Sequence, residues 1–430
     1  MQISGIVSTI GEDIPFELPK GWSWYKWKDL ILEYDQGLIR SNLDLVEEGT
    51  FYFKMHNMNT DGYCDYSKKE YTRASDSELS QYKLENGDFL INVRNTLELV
   101  GKTCVVSELN EQTVYNHMII KVTHCDRRLN YYINALFSKT NWKKYIDGCK
   151  KGTTTVIALY KDDLLEIPIP IPDEKTFDSI VRFEKDIIDL ISINNKINAE
   201  LEMMTKMLYE HWFLQFDFPD DSNRPYKSSK GKMIYNDVAN RNIPYGWEVV
   251  HLKDIATYSE DRIKNTEIDD SSYIGTDNLL AEMKGRKKSE YVPSEGQSTR
   301  YQEGDTLIAN IRPYFKKIWF ADKTGGCSSD VLCIRPKDTM LKEFVYSTLA
   351  RNDFFVYDMA GAKGSKMPRG DKDHIMAYPV MFHEEIAKAY SKIVRDAFYM
   401  IEKNYQKNQE MIMLRDFIIP MIINRQIKCG

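Results

Sequence analysis

The sequence predicts an α+β chain built twice over: two globular domains, each followed by a long helix, with the helices packing as an antiparallel coiled coil about a pseudo-two-fold axis. Three observations predict it. Landmarks recur in one order, two long runs of heptad-spaced core positions follow the domains, and a polar stretch separates the copies.

The landmarks come first in the chain. LPKGWSWYKWKDL (18–30) is echoed by IPYGWEVVHLKDI (243–255), and ENGDFLINVR (85–94) by QEGDTLIANIR (302–312). Pro19 and Pro244 stand 225 apart, Gly87 and Gly304 217 apart, and the Asn92/Arg94 and Asn310/Arg312 pairs 218 apart, so the second copy is slightly shorter. GCKKGTTT (148–155) is echoed by GAKGSKMP (361–368), each before an apolar, proline-containing strand: EIPIPIP (166–172) and MAYPVMF (376–382). Trp22 and Trp247 read as buried anchors where each domain meets its helices.

Each copy closes in a helix, roughly 174–212 and 384–420. Core positions step by four and three through Phe183, Ile187, Leu190, Asn194, Ile197, Leu201, Met204 and Leu208. The second run is Tyr390, Ile393, Ala397, Met400, Asn404, Lys407, Met411, Leu414 and Ile418, displaced by 210. Asn194 therefore corresponds to Asn404, and antiparallel packing is expected to bring the two together, fixing register; the other reading has each Asn facing solvent. Helices of this length span on the order of 55 Å and would form a rigid spacer. Trp212 and Phe213, at the end of the first helix, pack on either the second domain or a partner.

Between the copies, FDFPDDSNRPYKSSKGKMIYNDVANRN (216–242) is rich in Pro, Ser, Asn, Gly and charge, and reads as an exposed linker. The expected boundaries are 13–172 for the first domain, 173–215 for the first helix region, 216–242 for the linker, 243–382 for the second domain and 383–424 for the second helix region.

Composition narrows the class. The 430 residues are 42% hydrophobic, enough for real cores. Seven cysteines, odd in number and without a C-x-x-C pair, suggest neither a disulfide framework nor a zinc site, and fit a cytoplasmic protein. No run reaches about 18 apolar residues and no export signal stands at the start, so no membrane span is expected. A net charge of −6 argues against indiscriminate coating of nucleic acid but leaves local basic surfaces open.

Enzyme signatures are thin. Dinucleotide, P-loop, zincin and nucleophile-elbow patterns are all lacking, so no catalytic residue and no metal ligand is expected. His383-Glu384-Glu385 and Pro172-Asp173-Glu174-Lys175 read as helix starts, and Cys327 and Cys333 as small buried residues.

Basic and polar clusters are more informative. The first domain carries Asn92, Arg94 and Lys102, then Lys143, Lys144, Lys150 and Lys151 beside Thr153–Thr155. The second carries Arg286 and Lys287, then Asn310, Arg312 and Lys316, then Lys363, Lys366 and Arg369. Arg pairs bidentately with guanine and Asn with adenine, while Lys and loop N–H groups hold phosphates. Two such surfaces on a spacer suit double-stranded DNA with a split site, since half-sites on one face lie about 34–36 Å per turn apart.

These residues, with LYEHWFLQFDFP (208–219) and the terminal LRDFIIPMIINRQI (414–427), resemble the specificity subunit of Type I restriction-modification systems over nearly the whole chain. The resemblance implies two target recognition domains that each read half of a bipartite DNA sequence, with a coiled-coil ruler between them. It further implies a non-catalytic subunit that docks two methyltransferase subunits, with restriction subunits joining the assembled complex. S-adenosylmethionine, ATP and Mg are expected on those partners and no cofactor on this chain. The helix starts IPDEKTFDSI and VMFHEEIAKA depart from the family's usual proline-rich pattern. Two other readings remain open: a stand-alone bipartite DNA-binding regulator without a methyltransferase partner, and a coiled-coil scaffold whose heads bind protein.

Overall fold

The computed structural model describes residues 18–139, 142–152 and 156–423. The expected ends of the plan, 13–17 and 424, the motif residues 424–427, and Thr153–Thr155 lie outside them. The chain divides into two compact units, Met1–Ala199 with Asn404–Gly430, and Glu200–Lys403.

Each domain opens on the repeated tryptophan phrase, and the reason is a turn. Trp22 N–H reaches Pro19 C=O at 3.0 Å and Trp247 N–H reaches Pro244 C=O at 3.1 Å. The third residue of each turn, Gly21 or Gly246, has φ near +90 or +86, where a side chain is strained. The chain then enters a strand that pairs with the last strand of the same domain: Ser23–Lys26 with Pro168–Ile171, and Glu248–His251 with Pro379–Phe382. These antiparallel pairs close each domain on itself.

In the first unit a four-stranded antiparallel sheet runs in the order Ile31–Gln36, Ile119–His124, Phe89–Asn92, Thr103–Val105. The second unit repeats that order with Ala256–Tyr258, Val331–Pro336, Thr306–Ala309 and Ile318–Phe320. The repeat seen in sequence is thus a repeat of topology. A second sheet in each unit differs in its inner order, with Thr50–Phe53 central in the first and Gly325–Cys327 in the second.

Inside the first core Trp27 donates its indole N–H to His124 Nε2 at 2.9 Å, while His124 Nδ1 lies 2.6 Å from Asn130 Oδ1. That arrangement requires the neutral ring with its proton on Nδ1, and burial holds the His124 pKa down at about 4.

The long helices span Glu174–Tyr209 and Glu384–Ile423. Acidic first turns at Glu174 and at Glu384 and Glu385 suit the positive end of a helix. Within the first unit their stretches pass antiparallel. Asn194 Nδ2 donates to Asn408 Oδ1 at 2.7 Å, Asn404 Nδ2 to Asn198 Oδ1 at 2.9 Å, and Asn408 Nδ2 to Asn195 Oδ1 at 2.9 Å. The expected meeting of Asn194 with Asn404 is therefore corrected: each bonds the residue four positions beyond its counterpart. Equal levels on antiparallel helices require residue numbers that rise on one as they fall on the other, and here 194 lies opposite 408 and 198 opposite 404.

The core stripe is corrected in the same way. Ile187 and Ala397 are buried as expected, but Leu190 and Met400 are 49% and 46% exposed, while Ile191 is fully covered. At alternate steps the more covered residue is the next one along: Glu184, Ile191 and Thr205 are buried and Asn198 half-buried on the first helix, and Val394, Asn408 and Arg415 are buried and Ile401 half-buried on the second. Several of these are polar, so apolarity alone selects the wrong neighbour. Arg415 and Glu184 are both shielded from solvent, 3.9 Å apart, with Arg415 also donating to Asp61 C=O and Asn134 donating to Glu184 at 2.8 Å.

Each helix end closes a core within its own unit. In the first, Ile419, Ile422 and Ile423 pack with Trp24, Phe177 and Ile180. In the second, Tyr209, Trp212 and Phe213 pack with Trp247, Phe344 and Tyr390, which places Trp212 and Phe213 on the second domain. The segment 216–242 is ordered rather than a loose linker. Phe216 and Phe218 are buried against Trp247, and Met233–Asn236 pairs with Arg241–Pro244 as a hairpin. The composition of that stretch hid its three aromatic anchors, Phe216, Phe218 and Tyr226. Among the described residues, no helix is long and apolar enough to cross a membrane.

Candidate nucleic-acid interface

In each unit the structure brings together two loops far apart in sequence. In the first, strand Arg94–Asn95 pairs with Ile157–Leu159, which pairs with the lysine-bearing Lys150–Gly152. In the second, Ile311 bridges to Arg369, and Arg369 bridges to Lys363. Arg312 N–H also reaches Pro368 C=O at 2.8 Å. The loop after the Asn-x-Arg motif therefore lies beside the loop after the repeated Gly-Lys motif, in both copies.

The expected site residues fall into three groups. On the joined loops, Arg94, Lys151, Lys363, Lys366 and Arg369 are exposed, and Lys150, Asn310, Arg312 and Lys316 are half-buried, with Gly370 N–H donating to Asn310 C=O at 3.1 Å. Several carry acidic neighbours: Lys150 with Asp147 at 2.7 Å, Lys151 with Asp163 at 2.7 Å, Arg369 with Asp330 at 3.1 Å and Lys316 with Glu282 at 3.3 Å. The pairs of Lys151 and Arg369 face solvent and are worth about 0–1 kcal/mol each, so a phosphate can displace them. The Lys363 ammonium bonds Asp371 and, with the backbone N–H groups of His374 and Asp373, holds that carboxyl at about 2.

Lys143, Lys144 and Lys287 form the second group, exposed but off the joined loops, with Lys287 paired to Glu290 at 2.6 Å.

The third group is corrected to interior roles. Asn92 is fully buried at the end of its strand, where it cannot reach a base. Lys102 donates to Met58 C=O at 3.1 Å, and burial pushes its pKa down. Arg286 lies 4.6 Å over the Trp319 ring and donates to Ser271 C=O at 3.0 Å, with Asp322 3.7 Å away. Strand and loop ends alternate their facing, and a lysine-rich run such as KGRKK conceals which member turns inward.

Sequence reasoning missed the apolar members of the loops. Leu97, Tyr314 and Phe315 are 59%, 44% and 38% exposed at the loop tips. Leu97 and Phe315 stand 218 apart, the same offset as Asn92/Asn310 and Arg94/Arg312, and that coincidence is the signal that could have found them. Among the described residues, no cluster of three or more His, Cys, Asp or Glu side chains could hold a metal ion.

Residues 19–203 match the family model described as Type I restriction modification DNA specificity domain. The type I restriction enzyme MjaIX specificity subunit of Methanocaldococcus jannaschii is 26% identical over 45% of this chain and 41% of that protein. This chain thus aligns with less than half of that relative's length. The type I restriction enzyme HindI specificity subunit of Haemophilus influenzae is 20% identical over 93% of this chain and 99% of that protein. Among solved structures, the S subunit of a type I restriction-modification system from M. genitalium has a TM-score of 0.50. That likeness covers 95% of this chain and 98% of the other at 12% identity, and it shows the fold alone.

Proposed function

We propose, from the premise that this chain belongs to the specificity-subunit family of type I restriction-modification systems, that it is the non-catalytic reader of a two-part DNA target. Each domain contacts one half of the target through its pair of joined loops. The observation that carries this reading is the repeated juxtaposition itself: twice in one chain, an arginine-bearing loop is fastened by backbone pairing to a lysine-bearing loop. Arginine supplies base-edge recognition, and lysines with loop N–H groups supply phosphate contacts. The long helices serve as an antiparallel coiled-coil ruler that sets the gap between half-sites.

The same helices offer docking positions. Met203, Met204 and Met207 are exposed on the first, and Met413, Leu414 and Phe417, 210 residues later, on the second. We assign these equivalent patches to two like methyltransferase subunits, since Met-rich, adaptable apolar surface suits helix docking. Adenine methylation with S-adenosylmethionine, and cleavage with ATP and Mg through restriction subunits, belong to those partners. The assembly acts on DNA in the cytoplasm.

The test is co-expression with a methyltransferase subunit of a type I system in a host lacking adenine methylation, with sequencing of N6-methyladenine and mass measurement of the complex. A split motif with a fixed gap, appearing only with this chain, supports the reading, as does a complex of one chain with two methyltransferases. Tight sequence-specific DNA binding by the chain alone, without any complex, would support the regulator instead.

A further inference from the structure

We infer that Leu97 in the first domain and Phe315, with Tyr314, in the second are wedge residues that enter the base stack of each half-site and unstack one base step. The inference rests on the DNA-reading assignment above and adds to it a deformation of the duplex.

A single exposed apolar side chain needs no explanation, because much of any protein surface is apolar. Three observations set these apart. The first is position. Leu97 and Phe315 occupy the same place in the repeat, three residues after Arg94 and Arg312, so an exposed apolar side chain crowns the recognition loop of both copies.

The second is how the loops are held. Around Pro313–Phe315 both flanking residues, Arg312 and Lys316, lie in the left-handed region at φ +54 and +49. Non-glycine residues in that region cost on the order of 1–3 kcal/mol each and persist only where the surroundings impose them. Here a neighbouring loop imposes them: Glu282 N–H donates to Phe315 C=O at 2.8 Å and Met283 N–H to Lys316 C=O at 2.9 Å. Lys317 Nζ ties the next residue to Thr276 C=O at 2.6 Å. The result presents Tyr314 and Phe315 as a packed pair, ring centroids 4.7 Å apart, with its backbone fixed. In the first domain Lys150 Nζ donates to Leu97 C=O at 3.1 Å, and the N–H groups of Leu99 and Val100 both turn back to Thr96 C=O.

The third is charge. Lys150 Nζ bonds the Leu97 backbone, Arg312 and Lys316 flank the aromatic pair in the chain, and Arg369, bridged to Ile311 and to Lys363, lies on the adjoining loop, so each apolar tip has cations close by, several of them paired with carboxylates. An apolar docking partner would not select those cations, whereas the phosphates flanking a base step would. Apolar wedges of Leu and Phe between base steps are a known way to exchange stacking for closer wrapping, and aromatic rings add their own stacking on bases.

The experiment uses the full complex of this chain with its methyltransferase subunits. The probe is a duplex carrying the split sequence found by methylation mapping, with 2-aminopurine placed in turn at each step of both half-sites. Wild type is expected to raise 2-aminopurine emission at one step in each half. Phe315→Ala with Tyr314→Ala is expected to remove the rise in one half only, and Leu97→Ala in the other only. Each is expected to weaken binding about ten-fold, or about 1.4 kcal/mol, with the salt dependence unchanged because no phosphate contact is lost. Binding by wild type without any rise in emission overturns the wedge while leaving DNA reading intact, as does a rise that survives the substitutions. Failure of wild type to bind the duplex sinks the DNA-reading assignment and the wedge with it. All three positions are solvent-facing, and unchanged thermal unfolding of the variants separates lost insertion from lost folding.

Discussion

The Asn194 carboxamide donates to that of Asn408 across 2.7 Å, and under the 210-residue repeat this bond is the image of Asn404 to Asn198 at 2.9 Å. A symmetric pair of polar bonds between the two helices satisfies its own groups in only one register, which is the use polar seam residues serve in helix pairs.

Asn408→Leu should lower the stability of the first unit by about 1–3 kcal/mol, because it strips partners from Asn194 and Asn195 at a buried position. Replacing Asn194, Asn198, Asn404 and Asn408 together by Leu should raise the unfolding temperature yet admit slipped registers. Denaturant unfolding reads the first effect, and cross-linking between engineered cysteines on the two helices reads the second.

Arg415→Met should cost about 3–5 kcal/mol, since it leaves the Glu184 carboxylate buried without its cation. Adding Glu184→Gln should recover a large part of that loss. Equal losses in the single and double variants would show that Arg415 acts through its bond to Asp61 C=O rather than through Glu184.

Asp358 should make the second unit less stable as pH rises. Among the described residues neither of its carboxylate oxygens has a hydrogen-bond partner, and burial lifts its pKa from 3.8 to about 6. Between those values the folded state keeps a proton that the unfolded state releases, so rising pH costs up to about 3 kcal/mol. The advantage of Asp358→Asn over wild type should therefore grow from about pH 4 to a plateau above about pH 6. Denaturation midpoints across that range test it, and parallel curves for the two proteins would refute it.

Arg286 and Arg312 should separate under the same substitution. Arg286→Ala removes the cation packed over Trp319 and should lower stability while leaving the affinity of the folded protein for DNA unchanged. Arg312→Ala should leave stability nearly unchanged and weaken DNA binding by about 1–3 kcal/mol. Unfolding and binding measured on both variants decide the matter.

Much of the fold was legible in the sequence because the phrases that recur are turns and strand ends with strict requirements. The Gly21 and Gly246 turns fix where each domain starts, and the repeated ENGDFLINVR and QEGDTLIANIR phrases carry equivalent strands of the shared sheet. The helix stripe was read one residue out at alternate steps, because Ile197 is more apolar than Asn198 although Asn198 has the partner. The joining of the loops was not legible, since backbone pairing of Arg94 with Ala158 or Ile311 with Arg369 leaves no mark on either segment alone. Nor was the inward turn of Asn92 and Arg286, which depends on the face each residue takes.

The most direct test of a two-part reader maps N6-methyladenine in cells making the complex with wild type, Arg94→Ala or Arg312→Ala. The account predicts a split motif for wild type, relaxed in one half by Arg94→Ala and in the other half by Arg312→Ala, with the gap unchanged in both. Relaxation of the same half by both variants, or a motif with no gap, would contradict it.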